Sequence, residues 1–150
     1  MSTNTTSILN DLIETLKDGQ EGFRAAAGDV QSPELKRLFG EYSLERSKFA
    51  GELQSLARSL GEDEPETTSS VAGALHRGWI NLKSVLTSKD DHAILAECER
   101  GEDSAVAQYT KAVATEGLPA DVRETVRAQF TVVKAAHDRV RDLRDSLASK

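Results

Sequence analysis

The segment from Ala93 to Val113, AILAECERGEDSAVAQYTKAV, carries an apolar stripe that is interrupted by an acidic residue. On a helix that turns about 100° per residue, Ile94, Cys98 and Tyr109 lie on one face. Glu102 lies on that same face and is therefore directed toward the core. An ionised carboxylate is costly to bury alone, so Glu102 requires a cation, a metal ion or hydrogen-bond donors from neighbouring segments.

The composition favours a single all-α domain over residues 1–150. Aromatic residues make up 5% of the chain and there are three prolines, while alanine, leucine, valine and charged residues dominate. This is the composition of helices, and the length suits one domain with one core. A single cysteine, Cys98, cannot form an internal disulfide, which fits a reducing compartment.

The charge and the N-terminal sequence exclude several classes of function. The net charge is −6, and a negative field repels nucleic acid and anionic lipid. The chain starts without a basic, apolar leader, and no stretch approaches about 18 apolar residues. We therefore expect a cytoplasmic protein with neither a nucleic-acid nor a membrane partner.

Apolar periodicity predicts four long helices and one shorter helix. They cover about residues 7–29, 33–60, 71–86, 91–116 and 122–147. The predicted helix caps are Thr5, Thr6 or Ser7 for the first helix, Ser32 before Pro33 for the second, and Ser88, Asp90 or Asp91 for the fourth.

The lengths of the connections predict how the helices are arranged. Short turns join the first two long helices and the last two, whereas a long connection containing the shorter helix separates the two pairs. This is the topology of a ferritin-like four-helix bundle, with a short extra helix in the crossover between the second and third long helices.

Four segments carry a resemblance to a known family: LKDGQEGFRAAA (16–27), SVAGALHRGWINLKSVL (70–86), CERGEDSAV (98–106) and VKAAHDRVRDLRD (133–145). In these segments the chain resembles a bacterial family of four-helix-bundle proteins of unknown function, the domain of unknown function 2383 type, which is placed in the ferritin-like group. The resemblance extends over nearly the whole chain, and the run from Ala74 to Trp79 is its most distinctive part. It implies a fold but no reaction.

The ferritin-like scheme for two metal ions is only partly present. That scheme needs one glutamate on each of two helices and Glu-x-x-His on each of the other two. Glu102 and His137 fit it, but the residue three positions before His137 is Lys134 rather than a carboxylate. Glu45 is followed three residues later by Lys48 rather than by histidine. The sequence thus indicates a degenerate metal centre.

Two interpretations of the interior remain open. In the first, Arg46 takes the place of a metal and forms a structural polar cluster with Gln20, Glu102 and His137. In the second, a reduced site made by Glu21, Glu45, Glu102 and His137 holds iron, manganese or zinc. The first needs no cofactor, and we prefer it because buried charges are usually paired with one another.

The functional prediction follows from the broken metal motifs. No nucleophile and base are arranged for catalysis, so we expect no catalytic residues and favour a non-enzyme that acts as a homodimer or by binding another protein. The alternative is a metal-binding oxidase or storage relative. An acidic face made by Glu97, Glu99 and Asp103, beside Arg100, is expected to be solvated.

Overall fold

A computed structural model describes residues 2–61 and 90–148 of the chain. These residues form four helices, which we call α1 (Ser2–Asp29), α2 (Pro33–Ser59), α3 (Asp91–Ala114) and α4 (Ala120–Ala148). No strand occurs within them, so the all-α class is confirmed for the described parts. The shorter helix predicted over 71–86 and the candidate cap Ser88 lie outside these residues.

The starts of two helices follow the capping rules. The Ser32 hydroxyl accepts a hydrogen bond from the Leu35 amide at 3.3 Å, with Pro33 as the first helical residue. At α3 the cap is Asp90, whose carboxylate accepts from the His92 amide at 3.0 Å. The caps predicted at Thr5, Thr6 or Ser7 are wrong, because α1 begins at Ser2 and Thr5 is buried. Packing overrides weak helix propensity there.

Two clusters of buried side chains show which helix ends lie together. The first cluster includes Leu12, Leu53, Tyr109 and Val126, so it joins the N-terminal halves of α1 and α4 to the C-terminal halves of α2 and α3. The second joins the opposite halves through Phe23, Phe39, Ile94 and Val140. Consequently α1 and α4 run in one direction, while α2 and α3 run in the other.

Polar contacts fix the two turns at opposite ends of the molecule. Asp91, at the start of α3, accepts from the backbone amides of Gln31 and Ser32 at 2.7 and 3.0 Å. At the other end, Arg123 donates to the carbonyls of Val113 and Thr115 at 3.2 and 2.9 Å. The chain leaves α2 at one end and enters α3 at the other, so residues 62–89 connect opposite ends.

The packing order places two helix pairs diagonally. Helix α1 packs against α2 and α3, and α4 packs against α3 and more sparsely against α2. Among the four described helices, α2 and α3 make no direct backbone approach. Their side chains meet only across the interior. None of these helices has the length and apolar character needed to cross a membrane.

Candidate functional site

The centre of the molecule holds an ion pair between Arg46 of α2 and Glu102 of α3. Arg46 Nη1 donates to Glu102 Oε2 at 2.6 Å, and Nη2 donates to Oε1. The two side chains are 1% and 0% exposed. Since α2 and α3 are diagonal, the guanidinium and the carboxylate span the interior and meet at its axis. Both oxygens of Glu102 are used by this two-bond contact.

The chain provides space and an aromatic surface for the guanidinium. The Arg46 guanidinium carbon lies 5.3 Å from the centre of the Phe23 ring, which is a favourable cation–aromatic position. A Cβ atom at Gly19 would lie 3.3 Å from Arg46 Nη1. The absence of a side chain at Gly19 therefore leaves room for the guanidinium beside α1.

The electrostatics keep the Arg46 guanidinium charged. Burial by itself lowers the pKa of Arg46, but the charge and the hydrogen bonds of Glu102 outweigh burial, so the pKa of Arg46 is raised above its usual value. Burial, assisted by the charges of Glu102 and Glu97, raises the pKa of the Cys98 thiol well above its usual range. Cys98 is therefore a neutral core thiol and not an activated nucleophile.

Gln20 and Glu45 lie near the interior but contribute differently from the prediction. The Gln20 side-chain oxygen is buried and makes no hydrogen bond to any described residue, while the Gln20 backbone carbonyl accepts from the Ser43 hydroxyl at 2.8 Å. One carboxylate oxygen of Glu45 is also buried without a hydrogen bond to the described chain. Burial raises the pKa of Glu45.

His137 does not join Arg46 and Glu102, which corrects the predicted four-residue cluster. Its Nε2 atom lies 2.6 Å from Asp103 Oδ1, and its Nδ1 atom lies 2.9 Å from Asp138 Oδ1. The physical reason is the rotation of α4. The buried stripe of α4 passes through Val126, Gln129, Val133, Ala136 and Val140. His137 is one residue beyond Ala136, so it turns toward the edge of the α3–α4 interface.

The alternative metal set is not assembled either. Glu21 is exposed and forms an ion pair with Arg24 at 2.6 Å. Within residues 2–61 and 90–148, one group of three potential ligands has its ligand atoms within 4.8 Å of one another, and it consists of Glu99, Asp103 and His137. Only His137 is shared with the predicted set.

The face expected to be solvated is in fact largely buried. Glu97 is 4% exposed and forms an ion pair with Arg100 at 3.0 Å. The Glu99 side chain is 12% exposed, and its Oε1 atom accepts from Arg144 Nη1. Asp103 remains 62% exposed. The useful sequence signal was the four-residue spacing of Glu99 and Asp103, which puts both on one side of α3.

A second buried polar network was missed in the sequence. The Tyr109 hydroxyl donates to Gln129 Oε1 at 2.7 Å, and Gln129 Nε2 donates to Glu52 Oε1 at 2.9 Å and to the Phe49 carbonyl at 3.2 Å. Gln129 lies three residues after Val126 and four before Val133. That spacing would have identified it as an inward polar residue.

The hydrogen-bond pattern around His137 also affects Asp138. The hydrogen bond with His137, followed by the nearby Lys134, lowers the pKa of Asp138 below its usual value. Lys134 and Arg141 approach the same carboxylate at 3.4 and 3.5 Å. Asp138 is thus an ionised acceptor that orients the imidazole.

Comparison with known proteins gives a family without an assigned activity. Residues 4–115 match the family model described as Domain of unknown function (DUF2383). The match includes Arg46, Glu99, Glu102 and Asp103 and ends before α4. No curated protein matches the chain.

Proposed function

This chain belongs to the DUF2383 family, whose description assigns no function. We therefore propose a function from the geometry of the candidate site. The protein is a ferritin-like four-helix bundle with a degenerate metal centre. It is not an enzyme and acts through its surface, by forming a homodimer or by binding another protein.

The buried pair of Arg46 and Glu102 carries this proposal. A di-metal centre in this fold needs carboxylates whose oxygens are free to coordinate the ions. Here both oxygens of Glu102 accept hydrogen bonds from one guanidinium. The cation that compensates the buried carboxylate is therefore a side chain of the protein. The predicted partners Glu21 and His137 bind other residues, which disfavours a metal centre that uses Glu102 in the interior.

The directions of the helices support the ferritin-like topology. Helices α1 and α4 run one way and α2 and α3 the other, and residues 62–89 link opposite ends. In this proposal a helix over 71–86 makes the crossover and packs its stripe of Val71, Leu75, Trp79 and Leu82 on the bundle.

The only tryptophan of the chain provides a test of the crossover helix. If the helix packs on the bundle, Trp79 emission is shifted to shorter wavelength in the native protein. It then changes at the same urea concentration as the helical circular dichroism signal. Emission characteristic of a fully hydrated indole under native conditions would contradict this part of the proposal.

Oxidation of ferrous iron in air tests the degenerate centre. We expect the tag-free protein to leave the rate of Fe²⁺ oxidation equal to that in buffer. The matched variants are Glu102→Gln, which alters the interior pair, and Glu124→Gln, which changes an exposed carboxylate on α4. Catalysed oxidation that disappears in Glu102→Gln but persists in Glu124→Gln would refute a non-catalytic interior.

Leu44 provides a test of surface action. Among the described residues it is the one large hydrophobic side chain that is exposed, at 74%, and it lies on the outer side of α2. We expect light scattering to show a dimer that Leu44→Glu weakens. Lys111→Glu, which introduces an acid on the exposed side of the diagonal helix α3, is the charge control. A wild-type chain that stays monomeric at the highest concentration would contradict the homodimer.

A further inference from the structure

We propose that Glu99, Asp103 and His137 form a binding site for one divalent transition-metal ion, such as Zn²⁺, at the α3–α4 interface. Each residue offers one ligand atom, and these atoms lie within 4.8 Å of one another. One imidazole nitrogen and two carboxylate oxygens are a ligand set that zinc and its neighbours accept, with water completing the coordination.

The two helices hold the three ligands rigidly. Glu99 and Asp103 are four residues apart and share one side of α3. His137 comes from α4, which packs directly against α3. The side chains of Glu99 and His137 are only 12% and 14% exposed, whereas Asp103 is 62% exposed. The site therefore has two fixed ligands and one ligand on the solvent side, through which an ion can enter.

The carboxylates of Asp103 and Glu99 converge on one ring nitrogen of His137. When Nδ1 carries the proton and donates it to Asp138, the unshared electron pair of Nε2 faces the carboxylates of Asp103 and Glu99. The Nε2 atom lies 2.6 Å from Asp103 Oδ1 and 3.9 Å from Glu99 Oε2. An electron pair and two carboxylate oxygens repel one another unless a proton or a metal ion lies between them. A metal ion would be bound by all three groups at once.

Two further contacts orient the ligands. The Asp138 carboxylate lies 2.9 Å from Nδ1 of His137, which is the usual support for a histidine bound to metal through Nε2. Arg144 binds Glu99 through Oε1 and leaves Oε2 facing the histidine. Zinc–ligand distances of about 2.0–2.2 Å place adjacent ligand atoms about 3.4 Å apart. Asp103 needs only a small rotation to reach that separation.

The site is independent of the buried pair and of the proposed surface action. None of the three ligands contacts Arg46 through a hydrogen bond or an ion pair between described residues. Binding at the α3–α4 interface thus neither requires nor excludes a degenerate interior. A variant that loses the metal site should keep the pair of Arg46 and Glu102, so the two features can be measured separately.

Titration of the full, tag-free chain with ZnCl₂ after chelator treatment tests the site. Calorimetry is expected to show one Zn²⁺ per chain, and the visible absorption of added Co²⁺ reports the nitrogen and oxygen ligands. His137→Ala and Asp103→Asn should each weaken binding at least tenfold. His92→Ala removes a histidine at the start of α3 that belongs to no such group of ligands among the residues that the structure describes, and it should leave the affinity unchanged.

A positioning variant separates metal binding from a merely structural role. Asp138→Asn should weaken Zn²⁺ binding about 10–100-fold, as is usual for residues that orient a ligand. The thermal unfolding curve of the metal-free variant should match that of the wild type. Asp103 is exposed, so Asp103→Asn tests the ligand set even if His137→Ala fails to fold. Absence of Zn²⁺ binding at millimolar concentration, or equal affinity in wild type and Asp103→Asn, overturns the proposal and leaves His137 as a hydrogen-bonding partner of Asp103 and Asp138.

Discussion

Removal of the Arg46 charge provides the sharpest test of the interior. The variant Arg46→Met keeps an unbranched side chain of similar length but leaves Glu102, which is 0% exposed, without its cation. Breaking a buried ion pair on one side costs about 3–5 kcal/mol, because the remaining charge stays desolvated. That is a large part of the roughly 5–15 kcal/mol that stabilises a typical domain.

The double variant tests whether this cost comes from the stranded carboxylate. Arg46→Met combined with Glu102→Leu replaces both charges by apolar groups of similar size, and such replacements are often neutral or stabilising. We therefore expect the double variant to be much more stable than Arg46→Met alone. Urea unfolding followed by circular dichroism gives the free energies of unfolding from which the coupling is calculated.

An exposed ion pair in the same protein is the matched control. Arg24 and Glu21 also lie 2.6 Å apart, but their side chains are 69% and 53% exposed. Arg24→Met should change the free energy of unfolding by less than about 1 kcal/mol, because water replaces the lost contact. If the losses in Arg46→Met and Glu102→Leu simply add in the double variant, the stranded-charge explanation is wrong.

Three further predictions concern buried polar groups and close packing. Burial raises the pKa of Glu45 above its usual 4.5, so the native protein binds the Glu45 proton more tightly than the unfolded chain does. The contribution of Glu45 to the free energy of unfolding therefore falls as pH rises through the native pKa. Glu45→Gln should remove this fall in the free energy of unfolding, measured by urea titrations from pH 4 upward. Gly40→Ala should raise the free energy of unfolding by about 0.5–1 kcal/mol, because a Cβ atom there meets nothing within 4 Å. Gly19→Ala should gain less, because the Arg46 guanidinium, 3.3 Å from the added Cβ atom, must move. Thermal melts of the two variants distinguish these outcomes. Tyr109→Phe leaves the buried Gln129 oxygen without its 2.7 Å donor and should cost about 1–3 kcal/mol in urea unfolding.

The helices were predictable because local sequence controls where they start and stop. Ser32 and Pro33 mark the start of α2. Gly117 has a positive φ of 86° in the turn after α3, a conformation that glycine adopts easily. The spacing of apolar residues also put Glu102 and Arg46 on inward faces. Their contact, however, required knowing that α2 and α3 lie diagonally.

His137 shows where periodicity alone was insufficient. The mean directions of a stripe drawn through Phe130, Val133 and His137 and of one drawn through Gln129, Val133 and Ala136 differ by about 65°, less than one residue of the helix. Each stripe contains two apolar residues and one polar residue, so apolar content does not decide between them. Packing selects the second because Gln129 finds Tyr109 and Glu52 as hydrogen-bond partners. Spacing alone indicates that Gln129 can face inward, but its partners, 20 and 77 positions away, are known only from the tertiary structure.

The sequence by itself determined the all-helical class and the presence of a buried acid that needs a cation. It also carried the family resemblance, which the match over residues 4–115 confirms. These are properties of neighbouring residues, which fix helix faces and turns. Only the tertiary structure decided which cation meets which acid. Arg46 and Glu102 are 56 positions apart and His137 and Asp103 are 34 apart, and the observed rotation of α4 places His137 at Asp103 rather than at the predicted neighbour Glu102.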